Sequence, residues 1–329
     1  MPVRVSPAHV RELLSALASD SMEGRATATR GSARAAAFIA AEMQRIGLEP
    51  GGEAGYLQRI PISVQRVARR PRQTGGETTY VERPIALPSV ADLDTVAAAR
   101  RRDDANVVGV IRGSDPAARD SAVVVGAHFD HLGIGVPVNG DSIYNGADDD
   151  ASGVVAVLEI ARALRAGSAP RRTIVFVAFT GEEVGGIGSR WYLAHPIVPL
   201  ARTVAQFQIE MIGRPDSLAG GPGRAWLTGY ERSTMGDMLR AAAVPIVADP
   251  RPDMQFFRRS DNIAFAYEGI PAHTLSTFNM HTDYHRPSDE VSRVDFDHMA
   301  RVIDAAVRAT RILADGPAPQ WKPGGKPER

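Results

Sequence analysis

Residue types that bind metal ions stand directly after several apolar runs of this sequence. Histidines and carboxylates occupy such positions in four short segments: 128–131, 148–150, 182–183 and 210. The apolar runs that precede three of these segments are typical of buried β-strands. Because the carboxyl ends of parallel strands meet at one edge of a sheet, these side chains are expected to crowd together there. Such crowding of like charge requires a cation, so the pattern predicts a metal centre.

The donor atoms at these positions are imidazole nitrogens and carboxylate oxygens. The chain contains no cysteine, which excludes thiolate zinc sites, thiol nucleophiles and disulfide bonds. A mixed set of nitrogen and oxygen ligands favours zinc, with Mn²⁺ or Co²⁺ as substitutes. Two such ions bridged by one carboxylate, about 3.5–4 Å apart, polarise a carbonyl group and lower the pKa of water. A neighbouring carboxylate is then needed to accept the proton.

Each segment also has a structural interpretation when it is taken alone. The three aspartates at 148–150 could cap a helix, because their charges suit its N-terminal dipole. Paired glutamates such as Glu182 and Glu183 usually lie in solvated loops, and a single histidine after a strand is more often a packing or surface residue. The four segments together are much harder to explain in this way, so we keep the metal centre as the leading hypothesis.

Five motifs carry a resemblance to a known family. They are His128-Phe129-Asp130, 146–153, Glu182-Glu183, 210–214 and Tyr284-His285. In order and spacing they are similar to motifs of the co-catalytic di-zinc aminopeptidases, which include bacterial leucyl aminopeptidase and, more distantly, glutamate carboxypeptidase and glutaminyl cyclase. The resemblance runs from about Leu17 to Leu313, and it includes the segment Met22-Glu23-Gly24-Arg25.

The resemblance implies a role for each matching position. Two zinc ions would be held by five side chains: His128 and Glu210 for the first, Glu183 and His285 for the second, and Asp149 between both, beside a cis peptide to Asp150. Glu182 would be the general base that takes a proton from water. Asp130 and Asp289 would accept the second imidazole protons of the two histidine ligands and so orient their rings.

This chain departs from the family pattern at two places. Many aminopeptidases of the family carry Asp where this chain has Glu210, although both residues supply hard oxygen ligands. Some members place a Tyr before the Ser-Asp motif to stabilise the oxyanion, whereas this chain has Phe256 and Phe257 there. We therefore assign the oxyanion role to Tyr284, and we expect Phe256 and Phe257 to shape an apolar pocket for the substrate. His131 lies near the predicted site and could line it.

The elements that must position these residues alternate along the chain. After a helical lead-in at 1–50, apolar runs typical of strands alternate with helical patterns from residue 106 onwards. This order predicts an α/β domain with a mostly parallel, mixed sheet and helices on both faces, the fold of the zinc exopeptidases that the chain resembles. We predict one catalytic domain at 1–315, an edge hairpin within 56–81, and a disordered tail at 316–329, which is rich in Pro, Gly and Lys.

Composition and charge exclude several classes of partner. Of the 329 residues, 38 are Lys or Arg and 38 are Asp or Glu, so the formal net charge is zero. A balanced chain has no overall field that attracts nucleic acid or an acidic membrane surface. No apolar run approaches the ~20 residues of a membrane-spanning helix. The start at Met1 lacks the layout of a secretion signal, although the resemblance implies an exported protein, secreted or periplasmic.

The function that best fits these observations is an aminopeptidase that removes N-terminal residues from peptides. The same site could serve a carboxypeptidase, in which Arg214, Arg258 and Arg259 would bind a substrate carboxylate, or a glutaminyl cyclase that uses one zinc ion. All five ligands of a two-metal site are present, which disfavours the cyclase. A non-catalytic binding domain on this fold should have lost ligands or the base, and this chain has lost neither.

Overall fold

The fold is organised around a large β-sheet. A computed structural model describes residues 4–69 and 79–329. The strands within these ranges are β1 (Glu49–Pro50), β2 (Leu57–Arg69), β3 (Thr79–Ala86), β4 (Arg101–Ile111), β5 (Ala122–His128), β6 (Gly133–Val138), β7 (Asp141–Tyr144), β8 (Thr173–Phe179), β9 (Thr203–Ile209), β10 (Ala225–Leu227), β11 (Ile246–Ala248) and β12 (Ala272–Ser276). All but β6 and β7 belong to the large sheet, and those two pair with each other.

The α-helices lie between and after these strands. They are α1 (Pro7–Leu17), α2 (Arg30–Ile46), α3 (Gly153–Arg165), α4 (Ile187–Ala194), α5 (Thr234–Ala241), α6 (Asn262–Tyr267) and α7 (Phe296–Asp315). Pro7 begins α1 after the capping residue Ser6, and α2 ends at Gly47, whose φ of 81° is a left-handed conformation that glycine adopts without strain. Among the described residues, we find no helix with the length and apolar character needed to cross a membrane.

The large sheet is mixed, which confirms the predicted α/β class. Its strand order is β11-β10-β12-β9-β5-β8-β4-β2-β3, and β1 pairs with β4. The central strands β12, β9, β5 and β8 run parallel to one another, whereas β4, β2 and β3 add antiparallel pairs. On the other side of this parallel centre, β10 pairs antiparallel with β12 and parallel with β11. Strands β2 and β3 pair antiparallel at the edge of the sheet, as predicted, although β3 extends beyond the predicted range of 56–81 to Ala86. The residues that connect them, 70–78, lie outside the described residues.

Helices cover both faces of the central strands, as predicted. Val123 and Val125 of β5 belong to a buried apolar cluster with α1, α2, α3 and α7, whereas Val124 belongs to a second cluster with α4 and α6. Successive side chains of a strand point to opposite faces. Because helices cover both faces of β5, charged side chains are accommodated at the ends of the central strands. The candidate site lies at one of these ends.

The tail at 316–329 corrects the prediction of disorder. Trp321 pairs with Ser233 in a short antiparallel bridge, and its indole Nε1 donates to the carbonyl oxygen of Gly269 at 2.9 Å. Its ring also contacts His273, with the two ring centroids 5.6 Å apart. The Pro-, Gly- and Lys-rich composition suggested a solvated segment. The half-buried Trp321, backbone hydrogen bonds of Gln320 and Lys322 and an ion pair from Lys322 to Asp237 at 2.7 Å instead hold this tail against the domain.

Candidate metal centre

The donor side chains converge at the carboxyl edge of the central parallel strands. Strand β5 ends at His128, and its two neighbours in the sheet, β8 and β9, lead into Glu183 and Glu210. The segment before α3 contributes Asp149, and the loop between β12 and α7 contributes His285. The structure thus brings together all five residues to which the sequence assigned a ligand role, in two groups that share Asp149.

The first group of donors contains His128, Asp149 and Glu210. Nε2 of His128 lies 3.3 Å from Oδ1 of Asp149. Neither Nε2 of His128 nor Oε2 of Glu210 hydrogen-bonds to another described residue, although both atoms are buried. Buried polar atoms are rarely left unpaired in proteins, so these two atoms fit a cation between them.

The second group contains His131, Asp149, Glu183 and His285. Nε2 of His285 lies 3.1 Å from Oδ2 of Asp149 and 3.2 Å from Oε1 of Glu183. Nδ1 of His131 approaches the same two oxygens, at 3.8 Å from Asp149 and 3.0 Å from Glu183. His131 was expected from the sequence only to line the site. The signal for a closer role was its position in the loop directly after β5, three residues after His128.

Asp149 presents a different oxygen to each group. Its Oδ1 faces His128, whereas its Oδ2 faces His285 and His131. Its side chain is buried, and its exposed fraction is 2%. A carboxylate in this arrangement fits the bridge between two cations.

The protonation of the site is coupled to cation binding. Burial raises the pKa of Glu210 to about 7. Burial lowers the pKa of His285, but hydrogen bonds to Asp149 and Glu183 outweigh that effect and raise it to about 10. Burial also opposes ionisation of Asp149, yet the His128 and His285 side chains hold its pKa well below the ordinary value. Because histidine binds a metal ion only as neutral imidazole, metal binding here would release protons.

Asp130 supports the site in a different way from the one predicted. Its Oδ1 lies 3.6 Å from Nδ1 of His128, which is too far for a hydrogen bond, whereas its backbone oxygen lies at 3.1 Å. The carboxylate accepts the backbone N–H groups of Glu182 and Glu183 and the hydroxyl of Thr27. The backbone carbonyl of Asp130 therefore orients the imidazole, because its carboxylate is engaged by the loop after β8.

Asp289 also differs from its predicted role, since no hydrogen bond joins it to His285 within the described residues. Its carboxylate accepts the backbone N–H groups of Asp148 and Asp149 at 3.1 and 3.0 Å. It also accepts a hydrogen bond from Nη2 of Arg214 at 3.2 Å. Asp289 thus positions the backbone of Asp149, the residue that both donor groups share, rather than the imidazole of His285.

Asp150 connects three of the segments that carry donors. Its Oδ2 accepts the backbone N–H of His128 at 3.3 Å, and its Oδ1 accepts those of Met211 and Gly153, both at 3.0 Å. The peptide bond from Asp149 to Asp150 is cis, as the resemblance implied. This carboxylate therefore links the end of β5, the residue after Glu210 and the start of α3. The sequence suggested only a helix cap for it.

Arg25 is the largest supporting group that the sequence did not assign to the site. Its guanidinium is completely buried and donates to the carbonyl oxygens of Phe129 at 2.7 Å and Gly146 at 2.9 Å. It also donates to those of Asn145 at 2.5 Å and Leu17 at 3.1 Å. One side chain therefore joins the loop after β5 to the segment before Asp149. The sequence signal was present in the motif at 22–25, which carried no assigned role.

Glu182 lies beside the donor groups rather than within them. It lines a pocket together with Arg259, Ser260 and Asp261. Burial raises its pKa well above the ordinary value; the nearby His128 lowers the pKa and Glu210 raises it further. A carboxylate with a raised pKa next to metal-binding groups is suited to accept a proton.

A pocket lined by aromatic rings adjoins the first donor group. Trp226, Phe256, Phe278 and Tyr284 line it together with Glu210. The Phe256 ring lies 5.3 Å from the ring of Trp226 and 5.9 Å from that of Phe278, centroid to centroid. This surface can take an apolar group next to the donors. Trp226 was not assigned to the pocket from the sequence, because its position on β10 gave no local signal.

Only one of the two phenylalanines predicted to shape this pocket lies in it. Phe256 lines it, whereas the Phe257 ring packs against His273 at 5.7 Å and Trp321 at 6.4 Å, on the other side of the segment. The prediction for Phe257 is therefore wrong. Both residues belong to one short 3-10 helix at 256–258, and successive residues of such a helix project in different directions.

Tyr284 is placed between the aromatic pocket and the second donor group. Its ring stacks on the imidazole of His285, with centroids 3.8 Å apart and an angle of 23° between the rings. Its hydroxyl forms no hydrogen bond with any part of 4–69 or 79–329. Burial raises its pKa well above the ordinary value, as do the nearby carboxylates. The hydroxyl is therefore protonated and can donate a hydrogen bond.

Comparison with known proteins extends these observations. A family model described as Peptidase family M28 matches residues 106–310, more than half of the chain. A vacuolar membrane protease of Botryotinia fuckeliana (strain B05.10) is 27% identical over 232 residues, which cover 63% of this chain and 20% of that protein. A probable leucine aminopeptidase 2 of Aspergillus oryzae is 30% identical over 177 residues, which cover 52% of this chain and 33% of that protein. The chain thus spans a third or less of the length of these relatives.

The fold has a counterpart among solved structures. The crystal structure of a zinc aminopeptidase from Bacillus subtilis is similar with a TM-score of 0.69 and 14% sequence identity. The similarity covers 96% of this chain and 97% of that chain. At this level of identity, the comparison establishes the fold and leaves the chemistry to be argued from the site itself.

Proposed function

Because the chain belongs to Peptidase family M28, we propose that it is a zinc-dependent aminopeptidase that hydrolyses N-terminal residues from peptides. The observation that carries the proposal is the position of Asp149, whose two oxygens face two separate groups of donors. A site built for two cations next to a pocket for an apolar side chain supports hydrolysis of a peptide bond at the end of a chain.

Two zinc ions fit the donor sets. His128 and Glu210 would hold one ion, Glu183 and His285 would hold the other, and Asp149 would bridge them. When bound, such ions polarise a carbonyl group and lower the pKa of water to about 7. The donor chemistry of nitrogen and oxygen without sulfur supports zinc, and replacement by Mn²⁺ or Co²⁺ remains a prediction.

Glu182 would act as the general base in this reaction. It would take a proton from the attacking water and transfer it to the leaving amine. Its raised pKa, caused mainly by burial, favours holding that proton between the two steps. The backbone N–H of Glu182 donates to Oδ1 of Asp130 at 3.0 Å, which fixes the position of the residue beside the donors.

Tyr284 would donate a hydrogen bond to the oxyanion that forms at the substrate carbonyl. Its hydroxyl is protonated at neutral pH, because the ordinary pKa of tyrosine is about 10 and burial raises it further. Its stacking on His285 holds the ring next to the second donor group. A donor that is already positioned before the reaction stabilises the developing charge without reorganisation.

Of the three arginines that a carboxypeptidase could use, Arg214 favours an aminopeptidase. Arg214 is engaged by Asp283 at 2.7 Å and by Asp289 at 3.2 Å. Arg258 donates to the hydroxyl of Tyr267 at 3.0 Å. A carboxypeptidase would need such cations for the terminal carboxylate of its substrate. The carboxylates of Asp283 and Asp289 already engage Arg214, whereas Arg258 pairs only with a neutral hydroxyl. Arg259 lines the pocket beside Glu182, with its guanidinium 4.9 Å from the centroid of the Phe256 ring, so the carboxypeptidase stays the alternative that the substrate panel tests.

The proposal is tested with metal-free protein and a panel of aminoacyl-p-nitroanilides. We expect release of p-nitroaniline only after zinc is added, and only from substrates with a free α-amine. N-acetylated substrates are the matched control, and they should stay intact. Cleavage of N-blocked peptides from the carboxyl end would show that the protein is a carboxypeptidase instead. No hydrolysis of any member of the panel by zinc-loaded protein would contradict the proposed activity.

The aromatic pocket predicts a preference for apolar N-terminal residues. Truncation by Phe256→Ala removes one wall of the pocket and should lower the ratio of kcat/KM for leucyl over alanyl substrates by at least about tenfold. Phe257→Ala is the matched control, because Phe257 is equally buried and adjacent in sequence but lies outside the pocket. Its leucyl-to-alanyl ratio should stay unchanged. Equal ratios in both variants would assign substrate selection to another surface.

The compartment of the protein is a separate proposal. Export, to the periplasm or the medium, is implied by the resemblance to the di-zinc aminopeptidases. Fractionation of the native cells followed by immunoblotting measures it directly, and recovery of the protein with the cytoplasmic fraction would contradict it.

A further inference from the structure

His131 has a closer relation to the donors than a residue that only lines the site. We propose that it is a fourth protein ligand of the second metal ion, together with Asp149, Glu183 and His285. The inference rests on the two-metal site of the proposed function. It adds to the expected five ligands a residue that makes the two metal positions chemically unequal.

The distances between donor atoms carry the proposal. Nδ1 of His131, Nε2 of His285, Oε1 of Glu183 and Oδ2 of Asp149 are separated by 3.0, 3.1, 3.2 and 3.8 Å in the four nitrogen–oxygen pairs. Four ligands placed tetrahedrally at about 2.0–2.1 Å from zinc are about 3.3–3.4 Å apart. Three of the four pairs are close to the spacing of one zinc coordination sphere, and all four donor atoms lie within 4.8 Å of one another.

A hydrogen bond from His131 to Glu183 alone explains less of this geometry. The two imidazoles of His131 and His285 approach the same pair of carboxylate oxygens, one from Glu183 and one from Asp149. Their rings are nearly perpendicular, with an angle of 72° and centroids 5.6 Å apart. Two nitrogens directed from different sides towards one pair of oxygens are arranged around a common point, as ligands of one cation are.

The fold holds His131 in this position. Its side chain is completely buried, and its backbone N–H donates to the carbonyl oxygen of Arg25 at 3.4 Å. Residue 146 is a glycine with φ of 55°, and a Cβ there would lie 2.6 Å from Cγ and Cδ2 of the His131 ring. The absence of a side chain at Gly146 therefore makes room for the imidazole. Arg25, which binds the carbonyl oxygen of Gly146, fixes that backbone as well.

The consequence is a difference in affinity between the two metal positions. The group around His131 offers four protein ligands, whereas the group around His128 offers three. Each additional ligand that is already in place strengthens binding, so the position with His131 should retain its ion when the other position has lost it. The three-ligand position keeps more room for atoms of the substrate.

The test measures metal binding to the metal-free form of the full chain. Wild-type protein titrated with Zn²⁺ in a calorimeter should bind two ions with unequal affinities. In His131→Gln, the dissociation constant of the tighter ion should rise by at least about 100-fold, since even groups that only support a ligand change it by 10- to 100-fold. His281→Gln is the matched control: the side chain of His281 is 8% exposed and bonds to Asp148 instead of the second donor group, so both affinities should stay unchanged.

A second measurement does not depend on a variant. Protein labelled with ¹⁵N-histidine and loaded with ¹¹³Cd²⁺ should show a one-bond coupling between the cadmium nucleus and Nδ1 of His131. A hydrogen bond to Glu183 gives no such coupling. Absence of the coupling, or two wild-type affinities in a folded His131→Gln protein, would overturn the ligand role and leave the proposed function intact. Failure of the wild-type protein to bind two ions would instead overturn the two-metal site and this inference with it.

Discussion

Substitution Glu182→Gln is expected to lower kcat for peptide hydrolysis by about 10²–10⁴-fold, the usual contribution of a general base. The amide has nearly the same shape as the carboxylate but cannot accept a proton from water. Glu182 belongs to neither donor group, so both metal ions should remain bound. The measurement combines steady-state kinetics on the preferred aminoacyl substrate with the zinc content of the purified variant.

The comparison with Glu183 makes this result specific. Glu183→Gln changes the neighbouring residue, whose Oε1 lies 3.2 Å from Nε2 of His285, and it should lower both activity and metal content. Loss of a metal ion from Glu182→Gln would make Glu182 a ligand and would contradict its assignment as the base. Retention of both ions and of wild-type kcat would show that the proton is accepted elsewhere.

Asp149→Asn is expected to weaken both metal positions at once. Its Oδ1 serves the group of His128 and its Oδ2 serves the group of His285, and an amide supplies only one oxygen and no charge. Both dissociation constants should rise by at least about 100-fold, and hydrolysis should fall to background. Calorimetric titration with Zn²⁺ measures both constants in one experiment.

The variant His128→Ala is the comparison for Asp149→Asn, because it removes a ligand of one metal position instead of a ligand of both. His128 belongs only to the first group, so this change should weaken one ion and leave the other bound with its wild-type affinity. An equal effect of Asp149→Asn and His128→Ala on the two positions would refute the bridging role of Asp149. Melting curves of the metal-free proteins give the control for folding, because neither change should alter them by more than a few degrees.

The sequence alone determined the fold class and the edge of the sheet at which the donors meet. This was possible because both faces of β5 and β8 are buried, which produces apolar runs that end at His128 and shortly before Glu183. Strand β9, which leads to Glu210, is also buried but includes Gln206 and Gln208. The direction of a strand places the residue after it at a known edge of the sheet. Positions that follow from the regular geometry of strands are therefore accessible from local patterns.

Tertiary structure alone decided the partners of the side chains in loops. Asp289 was expected to bond to His285 and instead binds the backbone of Asp148 and Asp149, while the Phe257 ring packs against Trp321 of a tail that was expected to be disordered. Spacing along the chain does not define the direction of a loop side chain, because contacts distant in sequence set it. For the same reason, the sequence placed Arg25 in a motif but predicted no role for it. Its hydrogen bond to the carbonyl oxygen of the distant Gly146 follows from the tertiary structure. The approach of His131 to Glu183 likewise depends on how the loops after β5 and β8 fold against each other.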